Sequence, residues 1–375
     1  MDGLRTVLTP FAPDQSGAVS VLYEMGGLVV ILDAGGCTGN ICGFDEPRWM
    51  MYKSAVMSAG LRDMDAILGR DILLVEKVKT AVKKITPKFV AIIGTPVPAV
   101  IGTDFKGLVT LVKKEVPEDI EVFAVATYGM KNYDVGADKA YKELVKTYVL
   151  NTDEPKNEDG EYIGVWGATP LDTNETGSEG IKEVISQREN IDKSKILCFG
   201  LGDGIDAIKK VRKCKKNIAI SISGFGICRL LESELGIDYE CYSPLTNKNK
   251  DEIEKAIDEV LKQGKEEVNV LVVGEQIYAK SVKDLISNHS DKTNTVTATY
   301  FLTRDDVDDT LKFAQEDDFT KEFNDGNYDI VVADPVFKDL VAKRYLVGDD
   351  AVKWIDTVHF AISGTWESKQ FVTGK

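Results

Sequence analysis

Residues 28–49, LVVILDAGGCTGNICGFDEPRW, decide the fold. The first five of them, 28–32, are apolar and rich in β-branched side chains, as in a buried strand. A glycine-rich loop follows, and it contains Cys37 and Cys42 as a Cys-x4-Cys pair. In an open parallel sheet, the loops after the carboxyl ends of the strands are where ligands bind. The stretch therefore predicts a buried strand that leads into a ligand-binding loop.

The same alternation continues along the chain. Further strands are predicted at 89–93, 122–125, 162–167, 196–200, 217–221, 268–274, 296–300 and 328–333, with helices over about 137–148 and from 247 through 261. Near-continuous apolar strands separated by helices are typical of parallel sheets with helices on both faces. The sequence therefore predicts an α/β protein.

A polar segment at 151–160 interrupts this alternation and predicts a solvated linker. The strand pattern restarts after it, and a third set of strands begins near 268. We therefore predict three Rossmann-like units in the 375 residues: 1–155, which carries the cysteine loop, 156–262 and 263–375.

Composition excludes several classes of protein. The net charge of -15 and the pI of about 4.8 argue against binding to nucleic acid or to anionic membrane surfaces. No apolar run reaches the ~18 residues of a transmembrane helix, and the first residues do not read as a signal peptide. These features predict a cytoplasmic protein. Clustered cysteines there favour metal or redox chemistry over disulfides.

The cysteine loop has two interpretations. Gly35, Gly36 and Gly39 allow the backbone to approach a ligand closely and to point amide N–H groups at it. Such amides stabilise the anionic sulfides of an iron–sulfur cluster, with Cys37 and Cys42 as metal ligands. The other interpretation is a tight strand-to-helix turn with two buried small residues.

Two thiolates do not complete a cluster that needs four ligands. The other cysteines are predicted to be structural: Cys198 in a strand, Cys214 in a Lys-rich surface helix, Cys228 in a helix, and Cys241 after it. A two-fold dimer would instead bring two copies of the loop together across one axis.

These stretches resemble nitrogenase component 1 and its relatives, which include the dark-operative protochlorophyllide reductase subunits and the reductive cyclase of coenzyme F430 synthesis. The similar segments are the strand and cysteine loop at 28–49, IIGTPVPAVIGTD at 92–104, YG at 128–129, VWG at 165–167, GICR at 226–229 and LGI at 235–237. The resemblance implies three Rossmann-like units around a central cleft. It also implies an oxidoreductase subunit with a [4Fe–4S] cluster that is shared across a dimer interface with a second copy or a paralogue. Electrons would come from a separate ATP-dependent iron–sulfur reductase.

The chain departs from the family at the cluster. Family members usually supply three cysteines per chain, and Cys37 matches the middle one. No cysteine stands at 11–14, where the first would fall, and Thr95 takes the place of the third. Cys42 is an additional cysteine that could compensate. The rival hypothesis is a degenerate, non-catalytic scaffold or small-molecule-binding protein with the same fold.

The family's catalytic metallocluster also lacks a ligand here. Its cysteine would fall near Ile220 or Ser221, and neither is a cysteine, so we do not expect a nitrogenase. His359 stands where the family places a cofactor histidine. A histidine satisfied within the packing is the alternative interpretation.

Several loops have predicted roles. Those at 95–98, 128–129, 167–169 and 274–276 are predicted to line an open central cleft, with helix capping as the alternative for Glu275. Residues 44–52 are predicted either to dock the reductase or to form the core side of a helix that begins there. Asp45, Glu46 and Arg48 are predicted to pair with one another or across a dimer. Because no GxxxxGK[ST] motif is present, ATP hydrolysis is not expected, and Asp203 in GLGDG at 200–204 is predicted to cap a helix.

Overall fold

Three parallel sheets form the frame of the molecule. The computed structural model describes residues 5–68, 71–152, 155, 160–173, 177–348 and 351–364. The strands in this part of the chain are β1 (Leu28–Ile31), β2 (Ala55–Ser58), β3 (Phe89–Ile93), β4 (Glu121–Val125), β5 (Tyr162–Trp166), β6 (Ile196–Cys198), β7 (Cys214–Ala219), β8 (Tyr239–Cys241), β9 (Val268–Val273), β10 (Thr293–Thr299), β11 (Leu311–Lys312), β12 (Ile330–Ala333) and β13 (Lys353–Asp356).

Helices connect the strands. They are α1 (Asp14–Leu22), α2 (Gly36–Asn40), α3 (Asp63–Leu68), α4 (Asp71–Ile85), α5 (Pro96–Ile101), α6 (Phe105–Lys113), α7 (Tyr133–Val145), α8 (Pro170–Thr173), α9 (Ser178–Glu189), α10 (Ile205–Ile208), α11 (Ile222–Leu235), α12 (Asn247–Lys262), α13 (Gln276–His289), α14 (Glu316–Asp325) and α15 (Phe360–Ser363). Two π-helical segments, Ile41–Asp45 and Lys146–Leu150, extend α2 and α7. None of the described helices is long and apolar enough to cross a lipid bilayer.

The strand orders are β2-β1-β3-β4 in the first sheet, β6-β5-β7-β8 in the second and β11-β10-β9-β12-β13 in the third. All pairings within them are parallel, which confirms the predicted α/β fold. In each sheet the strand that comes first in the sequence is an interior strand. The next strand pairs with one of its edges, and a later strand pairs with the other edge. This reversal opens a crevice at the carboxyl end of the first strand, which is the favoured ligand position in such sheets.

The predicted strands all exist, with ends that shift by a few residues. Cys214 is a correction: it is not in a surface helix but begins β7, where it is fully buried beside Gly164. The next two residues, Lys215 and Lys216, are exposed and half-buried, so this lysine-rich stretch resembles the surface of a helix in its sequence. Most of the predicted linker at 151–160 lies outside the described residues.

Helices α1, α7 and α11 lie between the first and second sheets and share one core with both. Close packing of α1 on α7 depends on glycine, because a Cβ on Gly17 would lie 1.9 Å from the Tyr133 carbonyl oxygen. Helix α12 packs against the third sheet and α13, although it precedes the predicted boundary at 262. The unit boundaries therefore remain a prediction.

The N-terminal segment joins the core of the third sheet. Leu8 and Phe11 pack there, together with Phe301 and other aromatic side chains. The Glu316 carboxylate accepts hydrogen bonds from the backbone N–H groups of Thr6, Val7 and Leu8 at 2.9, 3.0 and 2.6 Å. The start of the chain is therefore fixed against residues from its last quarter.

Candidate functional site

The cysteine loop lies at the crevice of the first sheet, between the carboxyl ends of β1 and β3. Asp33 is buried shortly after the end of β1, and its side chain shapes the loop. Its carboxylate accepts hydrogen bonds from the Thr38 backbone at 2.7 Å and from the Ser58 hydroxyl at 2.6 Å. The sequence folds this way because a buried carboxylate needs donors, and the free N–H groups at the start of α2 supply one.

Both cysteines of the loop are free and half-buried. Cys37 is in the first turn of α2, and Cys42 is in the π-helical segment that follows. Such segments are rare and are often found at functional sites. A Cβ placed on Gly35, Gly36, Gly39 or Gly43 would meet nothing within 4 Å, and Gly35 has a φ of +118°. The loop therefore presents two thiols and bare backbone to open space.

The surroundings of the loop keep both thiols protonated. Burial, together with the carboxylates of Glu46 and Asp33, raises the pKa of Cys42 to about 11. Burial and Asp33 also raise the pKa of Cys37, while the nearby Thr95 hydroxyl lowers it by hydrogen bonding. A metal would have to displace these protons, as it does when it binds any thiol ligand.

Arg48 holds the base of the loop and is completely buried. Its guanidinium donates two hydrogen bonds of 2.7 Å to the Glu46 carboxylate and one of 2.7 Å to Glu24. It also donates to the carbonyl oxygens of Ser20 at 2.6 Å and of Gly200 at 3.1 Å, and Gly200 belongs to the second sheet's loops. The predicted pairing is therefore realised within this chain between Glu46 and Arg48.

Asp45 does not join this pair. Its carboxylate accepts hydrogen bonds from the Ser16 hydroxyl at 2.6 Å and from the Asn40 amide at 2.7 Å. Burial raises the pKa of Asp45, against the effect of these two hydrogen bonds. Asp14 and Ser16 do not cap α1: the Asp14 carboxylate binds the backbone N–H groups of Tyr128 and Gly129 at 3.0 and 2.7 Å.

The segment after the loop is exposed and forms turns. Phe44 and Met50 are 74% and 88% exposed, and Trp49 and Met51 are exposed as well. No helix begins between residues 46 and 52. The interpretation of these side chains as the core side of a helix is therefore wrong, and their role in docking remains a prediction.

The other cysteines do not complement the loop. Cys198, Cys214 and Cys228 are buried, and Cys241 is half-buried at the end of β8. Among the described residues, no three His, Cys, Asp or Glu side chains form a group that could hold a metal ion. Thr95, which stands in place of the family's third cysteine, is buried and donates to the Leu32 carbonyl at 2.7 Å. One chain therefore offers only the two loop thiols.

A second group of polar side chains fills the place where loops of the second and third sheets meet. We call it the junction cluster: Tyr133, Thr169, Asp172, Ser221, Ser223, Glu275 and His359. At its centre, Asp172 accepts hydrogen bonds from the Tyr133 hydroxyl at 2.9 Å, from the Thr169 hydroxyl at 2.5 Å and from the Ser223 hydroxyl at 3.1 Å. Burial raises the pKa of Asp172 to about 7, although these donors oppose the change.

His359 closes one side of the junction cluster. Its Nε2 lies 3.2 Å from the Tyr133 hydroxyl, and its ring stacks on Phe301 with 5.0 Å between centroids. Burial lowers the pKa of His359 to about 3, so the ring is neutral at physiological pH. Its Nδ1 has no hydrogen-bond partner. The Nε2 contact and the ring stacking fit a packing histidine, but the buried Nδ1 without a partner does not, so the packing leaves His359 only partly satisfied.

Glu275 caps two helices at once. Its carboxylate accepts from the backbone N–H groups of Ile277 and Tyr278 at the start of α13, at 3.0 and 2.5 Å, and from Ile222 at the start of α11, at 2.8 Å. Burial raises the pKa of Glu275 to about 8, and the neighbouring Asp172 adds to this rise. Capping is therefore the observed role of Glu275.

The four loops predicted to line a cleft are packed in pairs against their neighbours. Gly129 lies close to Pro96, and Gly167 lies close to Ser221. Thr95, Thr169, Glu275 and Gln276 are buried, and their side chains bind backbone groups or Asp172. These four polar side chains therefore do not line an open cleft, whereas Tyr128 is exposed.

The GLGDG loop is also used structurally. Asp203 does not cap α10, whose preceding residue is Gly204. The Asp203 carboxylate instead accepts from the Cys198 backbone at 2.7 Å and pairs with Lys182 at 2.9 Å. This places the acidic side chain under the loop rather than at the mouth of a dinucleotide site.

Comparison with known proteins agrees with the three-sheet fold and the position of the loop. The sequence model of the nitrogenase component 1 type oxidoreductases matches residues 15–306. The chain belongs to this family. The matched region contains the cysteine loop and all of the junction cluster except His359.

Two solved structures show the same fold. Nitrogenase Cp1 at pH 6.5 is similar over 99% of this chain and 90% of that chain, with a TM-score of 0.67 and 12% sequence identity. Nitrogenase Cp1 at pH 5 is similar over 83% of this chain and 69% of that chain, with a TM-score of 0.57 and 14% identity. No curated protein matches the sequence.

Because the chain belongs to this family, it is an oxidoreductase-type subunit. Proteins of this family usually bind iron–sulfur clusters, and membership suggests a reductase partner and an oligomer. The sequence alone did not reveal Asp172, because the groups that define its surroundings come from residues 133, 169, 223 and 275. The residues that adjoin Asp172 in the sequence do not indicate these contacts.

Proposed function

We propose that this chain is a nitrogenase-like oxidoreductase subunit that holds a [4Fe–4S] cluster at a dimer interface in the cytosol. The partner is a second copy or a paralogue, and electrons come from an ATP-dependent iron–sulfur reductase. The observation that carries the proposal is the pair Cys37 and Cys42, two free and accessible thiols on a loop whose glycines face open space. The substrate remains to be identified.

The donor set of the loop fits half of such a cluster. Two thiols per chain give four ligands across a two-fold axis, which is the number a cubane needs. Gly35, Gly36 and Gly39 leave room for the inorganic sulfides, and Gly35 and Gly36 could offer backbone N–H groups to them, whereas the Gly39 N–H donates to the Gly35 carbonyl at 3.0 Å. The bound cluster would supply a one-electron carrier, and the chain itself positions the thiols through the buried Asp33 and Arg48.

The surface around the loop supports a partner subunit. Phe44, Trp49 and Met50 are exposed on one side of the loop, and Met130 is 80% exposed near it. Large apolar and sulfur-containing side chains are enriched where proteins associate. A second chain and a reductase would each cover part of this surface.

A non-catalytic scaffold is the second candidate function, and one observation favours it. Thr95 occupies the position next to Cys37 where the family supplies another cysteine, and its hydroxyl is already committed to Leu32.

Iron content separates the two candidates. The protein is purified without oxygen, and iron and absorbance at about 400 nm are measured. We expect about two iron atoms per chain, since one cluster would serve two chains. Cys37→Ala and Cys42→Ala should each lose most of the iron, whereas Cys241→Ala, a half-buried control in β8, should keep it. A colourless wild type, or a Cys37→Ala variant with full iron, would leave the scaffold as the better account.

The reductase requirement has its own test. The protein is mixed with an iron–sulfur ATPase of the nitrogenase reductase type, MgATP and dithionite, and the cluster spectrum is followed. We expect reduction only when both the reductase and ATP are present, because the sequence has no GxxxxGK[ST] motif with which this chain could hydrolyse ATP itself. Equal reduction by dithionite alone would indicate a simple electron carrier.

A further inference from the structure

A groove of about 800 Å³ runs beside the cysteine loop. We call it the side groove. One wall is the helical stretch that carries Cys42, through Asn40, Phe44 and Asp45, and the other walls are 9–13, 129–132 and 360–364. Its volume is within the range of about 300–1,000 Å³ found for small-molecule sites. Volume alone does not identify a ligand, but the side chains of the groove restrict its chemistry.

Gln15 forms part of the groove and lacks a hydrogen-bond partner. It is 5% exposed, and its amide Oε1 is buried without a hydrogen-bond partner. Buried polar atoms without a partner are uncommon in folded proteins. Its neighbour Asp14, by contrast, binds two backbone N–H groups. Gln15 therefore has hydrogen-bonding capacity that a ligand in the groove could use.

The walls of the groove offer flat apolar surface. The Arg5 guanidinium lies 4.0 Å from the centre of the Phe11 ring and so covers one of its faces. Phe44 is 74% exposed and Met130 is 80% exposed, both at the groove. Phe11 itself is buried, so the accessible apolar surface comes from the aromatic ring of Phe44 and the thioether of Met130, which suit a planar apolar body.

The charge of the groove differs from that of the whole chain. Arg5 and Lys131 place two cations in it, and Asp45 places one carboxylate. That carboxylate already accepts from Ser16 and Asn40, and burial favours its neutral form. In a protein of net charge -15, a pocket with more cations than anions points to an anionic ligand.

We propose that the side groove binds an amphipathic organic acid. Its acidic group would face Arg5 and Lys131, its flat apolar part would lie against Phe44 and Met130, and an N–H or O–H donor would meet Gln15. Such a ligand would sit against the helical stretch that holds Cys42. A redox role for it rests on the proposed function, whereas binding itself does not.

The probe for this proposal is 1-anilinonaphthalene-8-sulfonate, which combines an anionic group, planar rings and an N–H donor. Fluorescence titration of the purified full chain should show one saturable site. Gln15→Met keeps side-chain length but removes the amide, and Arg5→Gln removes the cation. Each should weaken binding about tenfold, as expected for the loss of one good polar contact. Lys77→Gln is the matched control, because Lys77 lines a separate cavity near Ala59.

Competition identifies the ligand class. 1-Naphthoate should displace the probe, and 1-naphthalenemethanol, which has the same rings without the charge, should do so at least tenfold less well. The proposal is overturned if binding does not saturate, if Gln15→Met and Arg5→Gln bind like the wild type, or if Lys77→Gln weakens binding equally. A preparation that contains no iron but binds one probe molecule would refute the proposed function and support the groove.

Discussion

The cysteine loop and the junction cluster occupy equivalent places in the fold but differ in every physical respect. Both lie beside the first strand of a parallel sheet, at the point where the order of the strands reverses. At the loop, thiols and glycines face open space. At the junction, Asp172 and Glu275 are surrounded by the donors that they need. The topology of a sheet therefore fixes where a site can form, and side-chain packing decides whether it stays open.

Glycine shows the difference most directly. A Cβ on Gly39 in α2 would meet nothing within 4 Å, whereas a Cβ on Gly224 in α11 would lie 2.4 Å from the backbone carbon of Trp166. Both glycines are helical, so their backbone preferences are alike. Glycine at the junction allows two backbones to touch, and glycine at the loop leaves a space for something outside the chain.

The largest expected effect comes from Glu275→Ala. Three backbone N–H groups at the starts of two helices would lose their acceptor, so we expect the free energy of unfolding to fall by about 3–5 kcal/mol. Urea denaturation measures this. Asp104→Ala is the control, because Asp104 caps only α6, through Lys106 at 3.0 Å, and should cost about 1 kcal/mol. Equal losses for both variants would mean that the junction does not depend on Glu275.

Gly224→Ala should destabilise the protein by about 2–3 kcal/mol, since the new methyl group would overlap the Trp166 backbone and force α11 away from β5. Thermal unfolding measures the loss. If the variant is as stable as the wild type, the two backbones have room to separate, and the junction is less closely packed than its contacts indicate.

The junction should also make stability depend on pH. The pKa of Asp172 is about 7 and that of Glu275 about 8 in the folded chain, well above their usual values. The folded state thus holds protons that the unfolded state releases, and this contribution is full below about pH 4 and lost by about pH 8. Below about pH 6.5, His359 opposes the trend, because only the unfolded chain protonates it.

Between pH 6.5 and 8 we therefore expect the free energy of unfolding to fall by roughly 1–2 kcal/mol. Urea denaturation at closely spaced pH values gives the slope. Asp172→Asn and Glu275→Gln should each flatten it, while Cys241→Ala should not. A stability that rises over this interval would show that the two carboxyl groups are ionised in the folded protein.

The smallest effect is expected for Gly39→Ala. Alanine favours the helical backbone of α2, so stability should rise by up to about 0.5–1 kcal/mol. Iron content should nevertheless fall, because the methyl group would enter the space that the loop keeps open. A loss of stability like that of Gly224→Ala would remove the contrast between the two regions.

The sequence predicted the interior of each sheet and missed several edges. Strands such as β1, β3 and β12 are continuous apolar runs, because both of their faces are covered. The unpredicted strands β2, β8, β11 and β13 are all sheet edges with partly exposed, mixed residues. An edge strand is defined by its pairing with one neighbour, so its own sequence shows little hydrophobic pattern.

The cysteine loop was predictable because all its features are local. A strand, glycines and two cysteines are adjacent in sequence, so their chemistry can be recognised without a structure. The junction cluster was not predictable, because Tyr133, Asp172 and His359 come from distant parts of the chain. The same reason explains the wrong role for Asp203, whose partners Cys198 and Lys182 are not marked by helix-start signals.

The attachment of the N-terminal segment to Glu316 has a consequence for synthesis on the ribosome. Thr6, Val7 and Leu8 are synthesised 308–310 residues before their hydrogen-bond acceptor. Until then, Leu8 and Phe11 have no completed core to enter, and contacts so distant in sequence form slowly. Residues 6–8 can therefore dock only after Glu316 has been synthesised, and the neighbouring residues 9–13 form a wall of the side groove.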